Sequence, residues 1–433
     1  MASTPASPAS APPVSADEES GADKIRVVVR VRPLSQAEQQ ADASALCLKR
    51  LSPQSLKYGT DEENADSGMT FTFDQVFWSE SQQQVCDKVG VSVVRNAWKG
   101  LNSSVFAYGQ TGSGKTHTMT GQLDDLQGEG LIPRISRSLF STDAAADEAI
   151  TSFKVVATYY EIYNERVIDL LGETDAASPR AALRVREHPT RGPFVEGAVM
   201  REVGGWADLA QLLRRGNRAR TVASTKMNAA SSRSHAILQL SFVQTRIYGA
   251  DDGGGEFGGG MRAVDRESKI TLVDLAGSER ADKTGVTGDR LVESGNINKS
   301  LLALGSVINA LAESVTSTST SSVFVPYRNS ALTWLLRESL GGNARSVMVA
   351  TLSPSALQRE ETGSTLRYAE RAKRIKTHAT VNEDPNVAII RQLRAEIEAL
   401  KAALREHMEK SSGSGSSSGL AGSRCAREVT GML

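Results

Sequence analysis

Residues 109–116 read GQTGSGKT, a G-x-x-x-x-G-K-T run. Glycines at Gly109, Gly112 and Gly114 free the backbone between Gln110, Thr111 and Ser113 to turn its N–H groups inward as an anion nest, beside the start of a helix. Lys115 supplies a point charge for β- and γ-phosphates, and Thr116 a hydroxyl for Mg²⁺. The chemistry in prospect is binding of a nucleoside triphosphate.

Two further segments bear on the γ-phosphate. In VDLAGSER, residues 273–280, Asp274 ends an apolar run, the place of an acid that holds the Mg²⁺ shell. Gly277 can present its N–H to a phosphate with no side chain in the way. In NAASSRSH, residues 228–235, hydroxyl and amide side chains crowd beside Arg233. Such a group could order Mg²⁺ and a water, or simply cap a helix; beside the other two segments the first reading prevails. Arg233 and Glu279 carry opposite charge, and a pair between them would close the site. Loss of the γ-phosphate would then release a loop, which makes the site a switch.

Positioning these groups requires strands that end at them. SSVFAYG (103–109) reads as a strand feeding the glycine loop, and SKITLVDLAG (268–277) as one ending at the acid. Further strand-like runs fall at 25–31, 153–165, 236–248 and 344–354, with helical patterns at 81–99, 131–140, 207–215, 292–313 and 328–339. This alternation predicts an α/β fold with a mixed, largely parallel central sheet flanked by helices. Residues 57–69, 249–261 and 314–322 read as surface loops. Residues 1–22, rich in Ser, Ala and Pro, and 411–433 read as disordered. Ile390, Leu393, Ile397, Leu400 and Leu404 follow +3/+4 spacing. The helix carrying them, within 385–410, is either a weak homodimer seam through 389–408 or an amphipathic helix docking on the main domain.

Composition narrows the partners. Lys+Arg and Asp+Glu number 50 each, so no overall charge points to nucleic acid or membrane, and any polyanion site is a local patch. Cys47, Cys86 and Cys425 are sparse, odd in number and without metal-ligand spacing, as in a reducing compartment. The N-terminus lacks the basic start and apolar run of a secretory signal, and no apolar stretch is long enough to span a bilayer. A cytoplasmic or cytoskeletal location is expected.

The chain resembles the kinesin motor domain over roughly residues 24–380. The motifs, in family order, are VRVRPL, FAYGQTGSGKTHTMTG, EIYNERVIDLL, NAASSRSH, VDLAGSER, NINKSLLALG, VPYRNSALTWLLRESLGGN and STLRYAERAKRIK. The resemblance implies an ATPase that uses Mg²⁺ and converts phosphate release into force on microtubules, with the motor at 23–372 and a neck linker at 373–384. It implies that Arg30, Pro33 and His117 line the adenine, and that Ser231 and Ser232 order water and Mg²⁺ with Thr116 and, through water, Asp274. Gly277 would sense the γ-phosphate. Glu279, paired with Arg233, would relay a proton from the attacking water. Lys283, Arg290 and Lys299, with Arg328 and Arg337, would meet tubulin.

Residues 324–376 carry nine Lys/Arg against four Glu, a basic patch suited to acidic tubulin. The C-terminal position of the linker implies plus-end motion. The motifs look most like the kinesin-3 transport class, whose lysine-rich loop before PYR is here ESVTSTSTSSVFVPYR; modest processivity follows. A non-motile or depolymerising binder is the competing reading, weakened by three complete nucleotide elements. A GTPase would need N-K-x-D, and NKSL at 298–301 lacks the acid. A kinase lacks any acceptor-substrate feature, and no sequence feature names a cargo.

Overall fold

The computed structural model describes residues 23–40, 46–59, 68–141, 150–172, 181–189, 192–225, 232–248, 262–279, 289–316 and 323–382, and separate positions between 393 and 404. Nine strands form the main sheet: β1 (Arg26–Val31), β2 (Gln75–Trp78), β3 (Ser103–Tyr108), β4 (Ile150–Tyr163), β5 (Arg166–Asp169), β6 (Arg201–Val203), β7 (His235–Tyr248), β8 (Arg262–Asp274) and β9 (Arg345–Leu352). Their order is β6-β4-β7-β8-β3-β9-β1-β2, with β5 on β4. Pairings from β8 through β3, β9 and β1 to β2 are parallel, and those on the β4–β7 side are antiparallel. The parallel half carries the site: β3 and β8 pair side by side, so the segments that follow them leave the same sheet edge.

Helices cover both faces: α1 (Gln82–Trp98), α2 (Lys115–Met119), α3 (Leu131–Leu139), α4 (Trp206–Thr225), α5 (Asp289–Thr316), α6 (Ala331–Leu335) and α7 (Arg359–Ala372). Alternation along the strands divides the core in two. Val27, Val29, Phe106, Val273 and Met348 pack with Leu304, Val307, Leu332, Leu366 and Ala369 of α5, α6 and α7. Val28, Val105, Leu272 and Val349 pack with Val89, Val93, Ile135, Leu139 and Leu213 of α1, α3 and α4. The three successive valines Val27–Val29 of β1, all buried, face alternately into the two halves of this core.

Several elements differ from the sequence reading. The helix expected over 328–339 is a 3-10 turn, Tyr327–Asn329, followed by the short α6. Ser330 breaks the run by taking extended backbone and capping α6, its Oγ accepting from Thr333 N. The loop expected at 57–69 includes the ends of two strands, Ser55–Tyr58 and Met69–Thr72, of a small antiparallel sheet with Leu48–Arg50. Arg184–His188 and Gly192–Glu196 form an antiparallel hairpin that no periodicity announced.

Residues 376–382, within the expected neck linker, lie along the sheet end. Lys376–Thr377 pairs with Asp23–Lys24. His378 N donates to Gly342 O, and Asn382 N to Gly100 O, each at 3.0 Å. Asn382 Nδ2 donates to Asn102 Oδ1 at 2.7 Å. Residues 383–433 form a separate unit, in which Leu393, Ile397, Leu400 and Leu404 are helical and about half or more exposed. Ile390 and the segments 1–22 and 411–433 lie outside the described residues. Among the described residues no helix is long and apolar enough to cross a membrane.

Candidate functional site

The glycine loop connects β3 to α2. Gly112 (φ 76) and Gly114 (φ 102) hold left-handed backbone, and a Cβ on either would meet nothing within 4 Å. Their glycine identity therefore follows from backbone shape, and the space above them is free for a ligand. Lys115 is buried, and its Nζ donates to Gly109 O and Gln110 O at 2.8 Å each. Burial pushes its pKa down, opposed by the nearby Asp274 and Glu279 carboxylates. Ser113 Oγ donates to Gln110 O at 2.8 Å and shares a 2.7 Å hydrogen bond with Thr351 of β9.

A cavity of about 550 Å³ opens beside the loop, lined among others by Arg30, Pro33, Gln82, Ser113, Gly114 and His117. The three residues expected at the adenine thus meet in one pocket. Gln82, which opens α1, arranges two of them: it accepts from Arg30 Nη1 at 2.7 Å and donates to His117 O at 2.7 Å. Burial first, and the Arg30 charge second, push the His117 pKa down. A neutral ring suits an uncharged aromatic ligand. A capping box between Ser81 and Gln84 fixes this end of α1.

The two distant segments converge on the loop. Asp274 closes β8, and Thr116 donates to its Oδ2 at 2.7 Å. Gly277 N donates to Ser232 O at 2.8 Å, and Ser278 N to Gly109 O at 3.1 Å. Two backbone hydrogen bonds thereby join all three sequence elements. The Gly277 amide expected at a γ-phosphate is held by the Ser232 carbonyl. Glu279 accepts from Thr111 N at 2.8 Å, and its other oxygen accepts from the Thr111 hydroxyl. Its carboxylate therefore rests on the glycine loop, where the sequence reading placed it on Arg233. Arg233 is part-buried in the turn before β7.

A Mg²⁺ site fits these donors. Asp274 Oδ1 is buried with no hydrogen-bond partner, while Thr116 Oγ1 stands at its sister oxygen. An unsatisfied carboxylate oxygen beside a hydroxyl is a hard-oxygen set that favours a water-shelled Mg²⁺. Ser232 reaches the neighbouring loop through its carbonyl, which accepts from Gly277 N, and Ser231 lies outside the described residues. Among the described residues no group of three His, Cys, Asp or Glu forms a metal cluster.

Several residues around the site escaped the sequence reading. Arg220 of α4 reaches Asp274 Oδ2 at 3.3 Å, Ser234 O at 3.0 Å and Glu161 at 3.9 Å. No local pattern marks an arginine in a helix as the partner of an acid 54 positions away. Arg32 Nε donates to Gly112 O at 2.8 Å, and Glu38 grips the same guanidinium with both oxygens at 2.6 and 2.7 Å. Arg32 lay in plain view within VRVRPL, but its tie to the glycine loop depends on β1 and β3 sharing β9.

The Arg32 hydrogen bond holds the Glu38 carboxyl down at about 2, against an ordinary 4.5. A depressed carboxyl pKa adds stability that is complete above about 4.5 and lost as pH falls toward about 2. Wild type should therefore exceed Glu38→Gln in denaturant midpoint at pH 6, by an amount that shrinks with acidification from about 4.5. A gap independent of pH, in paired urea titrations, would contradict the brace.

Of the residues expected at the microtubule, Arg328 and Arg337 meet at one acid. Arg328 Nη2 donates to Glu187 Oε2 at 2.7 Å, and Arg337 Nη1 to Glu187 Oε1. The two arginines hold the Glu187 carboxyl below its ordinary value. Arg328 also lies 5.3 Å over the Trp334 ring. Lys299 is exposed on α5. Arg290 lies on the same helix with its side chain outside the described residues, as is the whole of Lys283.

With this geometry established, comparison with known proteins places it. The family model described as Kinesin motor domain matches residues 30–375. Kinesin-like protein KIF16B of Homo sapiens is 46% identical over 404 residues, covering 88% of this chain and 29% of the relative. Kinesin-like protein KIF1C of Homo sapiens is 44% identical over 392 residues, covering 88% of this chain and 34% of the relative. Kinesin-related protein 1 of Dictyostelium discoideum is 45% identical, covering 87% and 17%. The chain thus spans about a third or less of the length of these curated relatives. Among solved structures, a KIF14 dimer bound with AMP-PNP to a microtubule superposes with TM-score 0.75 at 39% identity, covering 86% of this chain and 100% of that one. A fast kinesin superposes with TM-score 0.72 at 38% identity, covering 84% and 96%.

Proposed function

The chain belongs to the kinesin motor-domain family, and from that premise we propose that it is a microtubule-stimulated, Mg²⁺-dependent ATPase that drives plus-end-directed movement and associates with the cytoskeleton in the cytoplasm. The observation that carries this reading is the meeting of three segments far apart in sequence. The glycine loop, Ser232 and Gly277–Glu279 join through backbone hydrogen bonds, so one lost phosphate can be felt by two loops.

The residues act by exchanging partners. Lys115 turns from the Gly109 and Gln110 carbonyls to the β/γ-phosphates. Thr116, Ser232 and Asp274 would hold Mg²⁺, which would supply charge neutralisation on the phosphate oxygens. Gly277 N–H leaves Ser232 O for the γ-phosphate, and Glu279 leaves Thr111 to pair with Arg233 and relay the proton of the attacking water through a second water. Arg30, Pro33 and His117 frame the base. After hydrolysis Gly277 returns, and α5 shifts against the microtubule. The docked run 376–382 supports a C-terminal force arm, and hence plus-end direction. Residues 1–22 and 411–433 serve as extensions, and 389–408 as a weak dimer seam.

A gliding assay on polarity-marked microtubules with ATP tests the reading. Plus-end-directed motion is expected. Tight binding without motion would favour the non-motile alternative.

The basic face has a built-in competitor. Glu187 occupies two arginines assigned to tubulin, so Glu187→Gln frees both and adds one net positive charge there. The microtubule KM should fall about two- to fivefold, with a steeper loss of binding as salt rises. An unchanged or raised KM would show that the two arginines do not serve this surface.

A further inference from the structure

α5 presents Leu301, Leu304, Val307 and Ile308 to the core, and beside them the buried hydroxyl of Ser300. Packing alone would favour an apolar side chain at 300; a buried hydroxyl implies a partner. That partner is His235, the first residue of β7, also buried, whose Nε2 lies 2.8 Å from Ser300 Oγ. The other ring nitrogen, Nδ1, accepts from Ala276 N at 2.9 Å. A backbone amide can only donate, so Nδ1 is bare and the neutral ring carries its proton on Nε2, toward Ser300. Burial, with the Arg220 and Lys115 charges, keeps the ring neutral, its pKa lowered to about 3.

One ring therefore touches three moving parts. His235 begins the strand that follows Ser232, its ring holds the Leu275–Ala276 peptide one unit before that of Gly277, and it grips α5 next to exposed Lys299. The peptide units that carry the Ala276 and Gly277 N–H groups meet at Ala276 Cα, so exchange of the Gly277 amide between Ser232 O and a phosphate pulls directly on the unit that His235 holds.

We propose that His235 and Ser300 form a polar tie that transmits displacement of the γ-phosphate loop to α5, and so to its microtubule-facing side. Both are positioning residues. The proposal rests on the motor reading above and adds to it the contact through which the nucleotide reaches the helix. The direction of transfer follows from stiffness: a ring bonded at both nitrogens cannot follow the loop without carrying Ser300 or breaking from it.

The test compares basal and microtubule-stimulated ATPase for wild type, His235→Asn, Ser300→Ala and the double variant. Asn keeps an amide oxygen near the Nδ1 position for Ala276 but falls short of Ser300. Both single variants should lose about three- to tenfold in microtubule stimulation, with KM for ATP within twofold of wild type. The double variant should be no worse than the poorer single, because one contact is removed twice. Ser300→Thr, which keeps the hydroxyl, should recover most of the stimulation. Wild-type stimulation in both single variants, additive losses in the double, or equal loss of basal and stimulated rates would overturn the tie. Should Ser300→Ala fail to fold, His235→Gln reads the other half: it keeps a donor near Nε2 but gives up the acceptor for Ala276, and full stimulation there overturns the proposal equally. Absence of stimulation in wild type would instead refute the motor reading.

Discussion

Gly277→Ala is expected to cut microtubule-stimulated ATP turnover at least about 100-fold while nucleotide binding stays within a fewfold of wild type. The backbone at Gly277 is not in the left-handed region, so alanine brings no conformational strain. The effect is one of space. A methyl there would stand 2.4 Å from both Glu279 oxygens and from Thr111 Oγ1, beside the amide proposed to meet the γ-phosphate. Glu279 and Thr111 are side-chain ends and can yield, so folding survives, but they yield by giving up their own contact. The loop then cannot close with its amide on the phosphate. Lys115, Thr116 and the pocket of Arg30, Pro33 and His117 are untouched, which is why binding persists. Fluorescent-nucleotide titration and steady-state ATPase with and without microtubules check both halves. Turnover within threefold of wild type would refute the sensor role of Gly277.

Glu279→Ala is expected to leave the loop free to close and to stall the step that follows. Bound ATP should persist, with the single-turnover rate down about 10²–10³-fold, the scale seen when a positioned polar group is removed from a reaction centre. The structure adds a reason to expect that nucleotide binding does not suffer. Glu279 holds Thr111 N and Oγ1 before any nucleotide chemistry, so its removal releases the glycine loop while the Lys115 hydrogen bonds to Gly109 O and Gln110 O stay in place. The two variants then part in their microtubule affinity: Glu279→Ala stalls in the ATP-bound grip, whereas Gly277→Ala never enters it. A normal phosphate burst from Glu279→Ala in rapid-quench mixing would rule out its role in proton relay. Together the pair separates sensing from hydrolysis within three residues.

Much of this site is legible because each element is contiguous. The glycine loop with Lys115 and Thr116 shows as one contiguous motif, and its position between a strand and a helix follows from local periodicity. The strand cores of β1, β3, β7, β8 and β9 show as apolar runs because each is covered on both faces. The pocket expected at the adenine was reached differently: Arg30, Pro33 and His117 carry no spacing signal, and the resemblance alone singled them out. The helix at 328–339 misled because the apolar spacing of ALTWLL extends the pattern on both sides, while Ser330 caps a separate, shorter helix.

By itself the sequence determined that the fold is α/β, and it pointed to a phosphate-binding glycine loop with two other segments expected to attend a γ-phosphate. Only the tertiary structure decided how those segments meet. Thr116 bonds Asp274 across 158 positions, and Thr111 bonds Glu279 across 168. Gly277 rests on Ser232, Glu279 rests on Thr111, and His235 spans Ala276 and Ser300. Such pairings depend on which strands lie side by side in the sheet and where each one ends. Short-range hydrophobic patterning specifies strands and helices; it carries no address for the partner of a polar group, which is chosen when burial removes water and leaves each donor one acceptor within reach.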